Sequence, residues 1–347
     1  MRVGIPQTPA LRDDVSDTRR RARVAARTLR ASRFFVLAGL VVFFGLTAPG
    51  FLTHVTLFNV LTATSLFLLL ALGETFMIVS GAIDLSVGSK ISLSGVAAAV
   101  YMSGRFQSGA TGADTIVGGI ILAVVVGAVG GLLNGAIVGY LGLNSLIVTL
   151  ASYGAFLGFA DLISNGFPVG NLPPALLELG NGTVFGVPYV VLIAAAAVWG
   201  CSWLANSTRF GRYTFAIGAN REAVRRAGVD LRRHTVLLFM LAGALAGLTG
   251  LLSTSKFESA SSQAGSTDLL TAIASVVIGG TPLSGGEGTI WGTVLGALII
   301  TIVENGFVLM GVSGFWQLVV VAVIIVIAVY VDEYQRKLQI AAAARSE

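Results

Sequence analysis

Charge is scarce in this sequence. Only 11% of its 347 residues are Asp, Glu, Lys or Arg, against about 25% in an ordinary soluble domain, which excludes water as the main solvent for most of the chain. Cysteine is nearly absent. The lone Cys201 rules out an intrachain disulfide, and its place in an apolar run makes it a small packing residue. The two histidines, His54 and His234, fall at opposite faces of the spans assigned below, so with one cysteine they form no metal-binding set. No metal or other cofactor is expected on this chain. The lysines are Lys90, Lys256 and Lys337, and none follows a glycine as the phosphate-binding loop Gly-x-x-x-x-Gly-Lys-Ser/Thr requires. The chain alone is not expected to hydrolyse ATP. Its net charge of +5 does not point to nucleic acid, because the arginines sit beside apolar spans, where membrane orientation is the commoner cause.

What the chain has instead is long apolar runs; 55% of its residues are hydrophobic. Runs of roughly 15 to 25 residues match a hydrocarbon core of about 30 Å. They lack the alternation of a barrel, so they read as helices whose backbone groups are satisfied internally. The fold class is therefore an all-α polytopic membrane protein with about ten transmembrane helices. The segments are Phe34 to Leu52, Thr56 to Val79, Ser89 to Ser103, Thr115 to Tyr140, Leu143 to Ser164, Val187 to Asn206, Thr235 to Thr254, Asp268 to Pro282, Gly288 to Met310 and Gly314 to Val331. Gly139, Gly142 and Asn144 supply the turn between the fourth and fifth. A basic tail (1–33) precedes the membrane domain (34–331), which contains a loop at 207–233, and a second tail (332–347) follows. With both termini cytoplasmic, only Arg105 and Lys256 of the 22 Lys and Arg fall outside, as the positive-inside rule asks.

The fourth span carries Gly127, Gly131, Gly135 and Gly139 at four-residue spacing, and Gly243 with Gly247 and Gly292 with Gly296 repeat the device. Such ridges let helices approach closely, within one chain or between two. In the 207–233 loop, Asn220 can cap a short helix that holds Glu222 in its first turn and ends at Gly228. Ala223, Val224 and Ala227 give it a small apolar face. It can dock a partner, or the arginine-rich loop can rest on anionic lipid. Asp84 or Ser86 can cap the third helix. Glu74 and Glu304 lie within spans without an obvious basic partner, at a cost of about 2.5 to 3.5 kcal/mol each on insertion scales, and either line a wet pathway or stay protonated in helix contacts. The string Gly311-Val312-Ser313-Gly314 has the form of a serine-nucleophile motif, but it reads better as a connector.

Three strings in order then resemble the permease family of sugar-type ABC importers, which includes ribose, arabinose, galactose and xylose permeases. They are Ile83-Asp84-Leu85-Ser86-Val87-Gly88-Ser89, then Gly218-Ala219-Asn220-Arg221-Glu222-Ala223-Val224 with Gly228 following, and then Ala274 to Gly286, which includes Gly279, Gly280, Ser284, Gly285 and Gly286. The resemblance implies a non-catalytic subunit of the bacterial plasma (inner) membrane, surrounded by lipid, whose partners are ABC ATPase subunits, an external solute-binding protein and a second permease chain, identical or related. ATP and Mg would belong to the ATPase. Residues Asn220 to Gly228 would look like the coupling helix that docks into it. The family commonly reads Asn-Asn-Gly where this chain has Glu304-Asn305-Gly306, so Glu74, Glu304 and Asn305 become candidates for the solute pathway. The rival reading is an ion-coupled secondary transporter using Glu74 or Glu304 as a proton relay.

Overall fold

The computed structural model describes residues 33–110, 112–323, 326, 327 and 330; both tails expected from the sequence otherwise lie outside them. The described chain is almost entirely helical. Helices α1 (Arg33–Thr47), α2 (His54–Val79), α3 (Val87–Gln107), α4 (Ala113–Leu141) and α5 (Ser145–Ser164) come first. A short α6 (Pro174–Asn181) and a hairpin of β1 (Thr183–Val184) and β2 (Val187–Pro188) lead to α7 (Tyr189–Ser207). Then come α8 (Arg209–Ala219), α9 (Arg221–Arg226), α10 (Leu231–Phe257), α11 (Asp268–Ile278), α12 (Ile290–Leu309) and α13 (Gly314–Val323). Six of these, α2, α4, α5, α7, α10 and α12, are long and apolar enough to cross a membrane.

The other apolar segments are shorter or more polar. Helix α11 has 11 residues, about 16 Å of rise and roughly half a hydrocarbon core. It stops well before the expected Pro282, because Gly280 turns into the left-handed region at φ 82° and proline cannot continue a helix. Arg33 donates to the Gly279 carbonyl at that stop, a cation placed where a helix end is negative. Two further readings change. The 207–233 loop is mostly the helices α8 and α9, and Lys90 is buried inside the bundle at 1% exposure, so it is no marker of orientation.

Gly142, at φ 70°, ends α4, and the Asn144 side chain accepts from Leu146 N at 2.8 Å to begin α5. Gly139 is not part of this turn; a Cβ there would sit 2.9 Å from the Arg232 carbonyl. It belongs to the ridge, and the ridge faces α10 of the same chain. Side chains at Gly127 and Gly131 would strike the carbonyls of Gly243 and Phe239, and one at Gly247 would strike Ala123 O. Gly296 meets Ser275 and Gly279 in the same way, joining α12 to α11. In lipid, where burial of apolar area offers little extra drive, such close backbone packing is what holds helices together. Helix α2 lies at the centre, buried on every side from Leu68 to Val79, whereas α1, α5 and α7 turn large apolar side chains outward.

Gly131→Leu should therefore push α4 off α10. We expect it to lower stability by about 1–3 kcal/mol, as overpacking does, read as a drop in thermal unfolding temperature in mild detergent. Gly154→Leu, with nothing within 4 Å of its Cβ position, should leave that temperature unchanged.

Candidate functional site

Two of the three strings singled out in the sequence, Gly218–Gly228 and Ala274–Gly286, meet at one end of α2, and the third, Ile83–Ser89, follows that end in the chain. Val79 is the last residue of α2, and the Val79 carbonyl accepts from Gly286 N at 2.8 Å. A Cβ on Gly285 would lie 2.9 Å from both Val79 O and Gly81 N. A Cβ on Gly218, in the last turn of α8, would run into the same Val79 oxygen and into Gly286 N. Gly285 and Gly286 have φ of 79° and 82°, which a residue with a Cβ adopts only under strain. The end of α2, the end of α8 and the loop before α12 thus touch backbone to backbone. Ser284 stands exposed beside them.

Helices α8 and α9 form an arm from this junction. Thr208 caps α8 by accepting from Gly211 N at 3.2 Å. Asn220 closes α8 through its N–H to Ala216 O at 2.9 Å and opens α9 by accepting from Ala223 N, also at 2.9 Å. Glu222 accepts from Arg225 at 2.8 Å and Arg226 at 3.0 Å, which holds its exposed carboxyl below the usual carboxylate range. Gly228, at φ 81°, then turns the chain to Asp230, which caps α10. The apolar face expected of α9 is not a single face. Val224 is buried, whereas Ala223, Ala227 and Arg221 are exposed. The arm is braced from behind, since Thr214 Oγ1 lies 2.9 Å from His234 Nε2 and the Phe210 ring 4.8 Å from the imidazole.

Asp84 does not cap α3. Ser86 occupies the N-cap position without a side-chain cap bond, and Asp84 is wholly buried, accepting from Ser86 N at 3.0 Å and from Ser86 Oγ at 2.5 Å, and forming an ion pair with Lys90. Asn134 of α4 donates to Ser86 Oγ at 2.8 Å, and Leu85 N donates to Thr149 of α5 at 3.1 Å. The motif is a buried polar knot joining α3, α4 and α5. Gly88, just beyond it, leaves room for the Gly265 carbonyl. Lys90 was missed as a site residue because it reads in sequence as an interfacial charge.

Glu74 is fully buried and has Asp84 and Lys90 near enough to act on it electrostatically, so the absence of a basic neighbour expected for it is corrected. Neither of its oxygens has a hydrogen-bond partner among the described residues. Glu304 lies apart on α12 within electrostatic reach of Asp268, and Asn305 donates to Thr301 O at 3.0 Å. The structure does not bring Glu74 and Glu304 together. A cavity of about 540 Å³ opens between α2, α7 and α12, and neither these carboxylates nor Asn305 line it. Ser313 is exposed, its carbonyl accepting from Trp316 N at 3.0 Å at the head of α13, as a connector would. Among the described residues, no three His, Cys, Asp or Glu side chains are grouped to hold a metal.

Comparison with known proteins fits this geometry. Residues 56–329 match a family profile described as the permease component of the branched-chain amino acid transport system. The ribose import permease protein of Escherichia coli (strain K12) is 34% identical over 317 residues, covering 90% of this chain and 96% of that protein. The D-allose transport system permease protein of the same strain is 35% identical, covering 86% and 90%. The ribose import permease protein of Bacillus subtilis (strain 168) is 38% identical, covering 86% and 91%. No solved structure matches the chain. Helical throughout its described core and carrying six helices able to cross a bilayer, the chain is a multi-pass protein of the bacterial plasma (inner) membrane and belongs to this family of ABC transporter permeases that includes the sugar import permeases.

Proposed function

We propose that this chain is the non-catalytic, membrane-spanning subunit of an importer for a monosaccharide or similar small polar solute, driven by separate ATPase subunits that dock on α9. One observation carries the reading: a capped, exposed two-turn helix projects on a braced arm whose base packs backbone to backbone against the end of the central helix α2. A force on α9 has a stiff route to the middle of the bundle. The solutes named for the relatives, ribose and D-allose, favour a sugar over the amino acid in the family description.

On this reading the chain crosses the membrane about ten times with both termini in the cytoplasm, using α1 to α5, α7 and α10 to α13. A second permease chain completes the path, an external solute-binding protein delivers the solute, and ATP and Mg stay on the ATPase. Closure of the ATPase pair would move the two arms and bias the permease between inward-facing and outward-facing states. Glu304 and Asn305 of α12 and Glu74 of α2 remain the pathway candidates. Purifying the tagged chain gently from its host and identifying its companions tests the whole reading. A phosphate-loop ATPase should come with it, whereas a chain that purifies alone and transports in liposomes on an ion gradient would establish a secondary carrier.

Five variants sharpen this. Glu222→Lys replaces an N-terminal acid that holds Arg225 and Arg226, and Gly228→Pro forbids a φ of 81°; both should reduce ATP-driven uptake at least tenfold and release the ATPase, while membrane insertion stays normal. Uptake at the native rate in both would rule out α9 as the docking element. Lys90→Met alone leaves Asp84 buried and unpaired and should destabilise the protein by about 3–5 kcal/mol, whereas Lys90→Met with Asp84→Asn should recover most of that loss, as measured by thermal unfolding. Glu304→Gln should change the uptake rate of the true solute severalfold without altering ATPase co-purification; an unchanged rate would return Glu304 to packing.

A further inference from the structure

The groove between α2, α7 and α12 changes character along its α7 wall, while α2 gives it Leu61, Thr64, Ser65 and Leu68. Along α7 its wall runs from Val198 and the residues before it, which are apolar, to Ser202, Asn206 and Ser207. From Ser207 back to Val198 is about 14 Å of helix, close to the roughly 15 Å of one leaflet. Trp203 and Trp291 line the polar half and are 57% and 63% exposed, the placement of rings at a membrane–water boundary, and Trp199 lines the groove deeper, beside Val198. The chain continues directly into Arg209 and Arg212. Both are exposed on the face of α8 away from buried Gly211, Thr214 and Ile217, and neither has a carboxylate partner among the described residues.

These features do not suit the other occupants. A polar solute would find a mostly apolar wall. A second copy seated here across a two-fold axis would bring the same arginines of both copies toward one interface, like charge toward like. A lipid with an anionic headgroup at the arginines and one acyl chain running past Trp203 and Trp199 to Val198, where the apolar wall begins, suits both the charge at the mouth and the depth of the groove. Its phosphate would gain charge-assisted hydrogen bonds, and its chain would replace less ordered contact with bulk lipid along the groove.

We propose that this groove is a binding site for an anionic phospholipid, with an acyl chain along α7 and the phosphate at Arg209 and Arg212. The inference goes beyond the importer reading and stands without it. The chain has four tryptophans, and the fourth, Trp316, is removed as Trp316→Phe so that every remaining indole lines the groove. The full chain is placed in nanodiscs of unlabelled lipid containing a small fraction of either dibrominated phosphatidylglycerol or dibrominated phosphatidylcholine, and quenching of its fluorescence is compared. Quenching by the glycerol lipid should exceed that by the choline lipid at least threefold, and Arg209→Gln with Arg212→Gln should abolish the difference while leaving choline-lipid quenching intact, which also reports that the fold is retained. Equal quenching by the two lipids in the parent protein, or a preference that survives the double substitution, overturns the proposal. Absence of quenching by either lipid also overturns it and marks the groove as covered by protein.

Discussion

The last carbonyls of a helix need donors from beyond its own ladder, and the turn after α2 supplies them for Phe76, Met77 and Ile78 but not for Val79. Helix α2 stops at Val79, and its carbonyl is met by Gly286 N. That bond requires the loop before α12 to come within backbone distance, and the end of α8 packs over the same oxygen through Gly218. Much of the site follows from this one requirement. Gly285 and Gly286 must turn through positive φ, Gly218 must lack a side chain, and the α8–α9 arm is thereby fixed in place relative to the central helix. The same logic recurs along α4 and α10, where glycine faces glycine and the helices close on each other's carbonyls.

The parts of this fold legible in the sequence are those governed by local chemistry or strict spacing. The four-residue glycine ridge of α4 announced a close helix contact, and the Asn220, Glu222 and Gly228 pattern announced a short capped helix, because a cap needs only the residues beside it. What was not legible depended on tertiary neighbours. Nothing local says whether a glycine ridge faces its own chain, and the α10 ridge could be matched to it only once both were placed. Asp84 looked like a cap because an acid just ahead of a helix often is one; its partner Lys90 lies six residues on and is drawn inward by a charge that sequence spacing does not reveal as buried. Helix α8 was read as loop because its arginines mask a buried face of Gly211, Thr214 and Ile217.

Side-chain contacts between elements can yield by changing rotamer, and a helix resting on long side chains can shift without moving its neighbour. The base of the arm has no such slack. Gly218 and Ala219 lie against Gly285 and Gly286, and these against Val79 and Gly81, with backbone on both sides. Close-packed interiors transmit displacement rather than absorbing it, so a push on α9 that tilts α8 must move the end of α2 or break the Val79 bond. The brace of Phe210 and Thr214 on His234 couples the other side of the arm to α10, and α10 is in turn locked to α4. On the importer reading, one docking element therefore drives two helices that do not share a loop, and small-to-large changes at Gly218 should uncouple transport as thoroughly as changes in α9 itself.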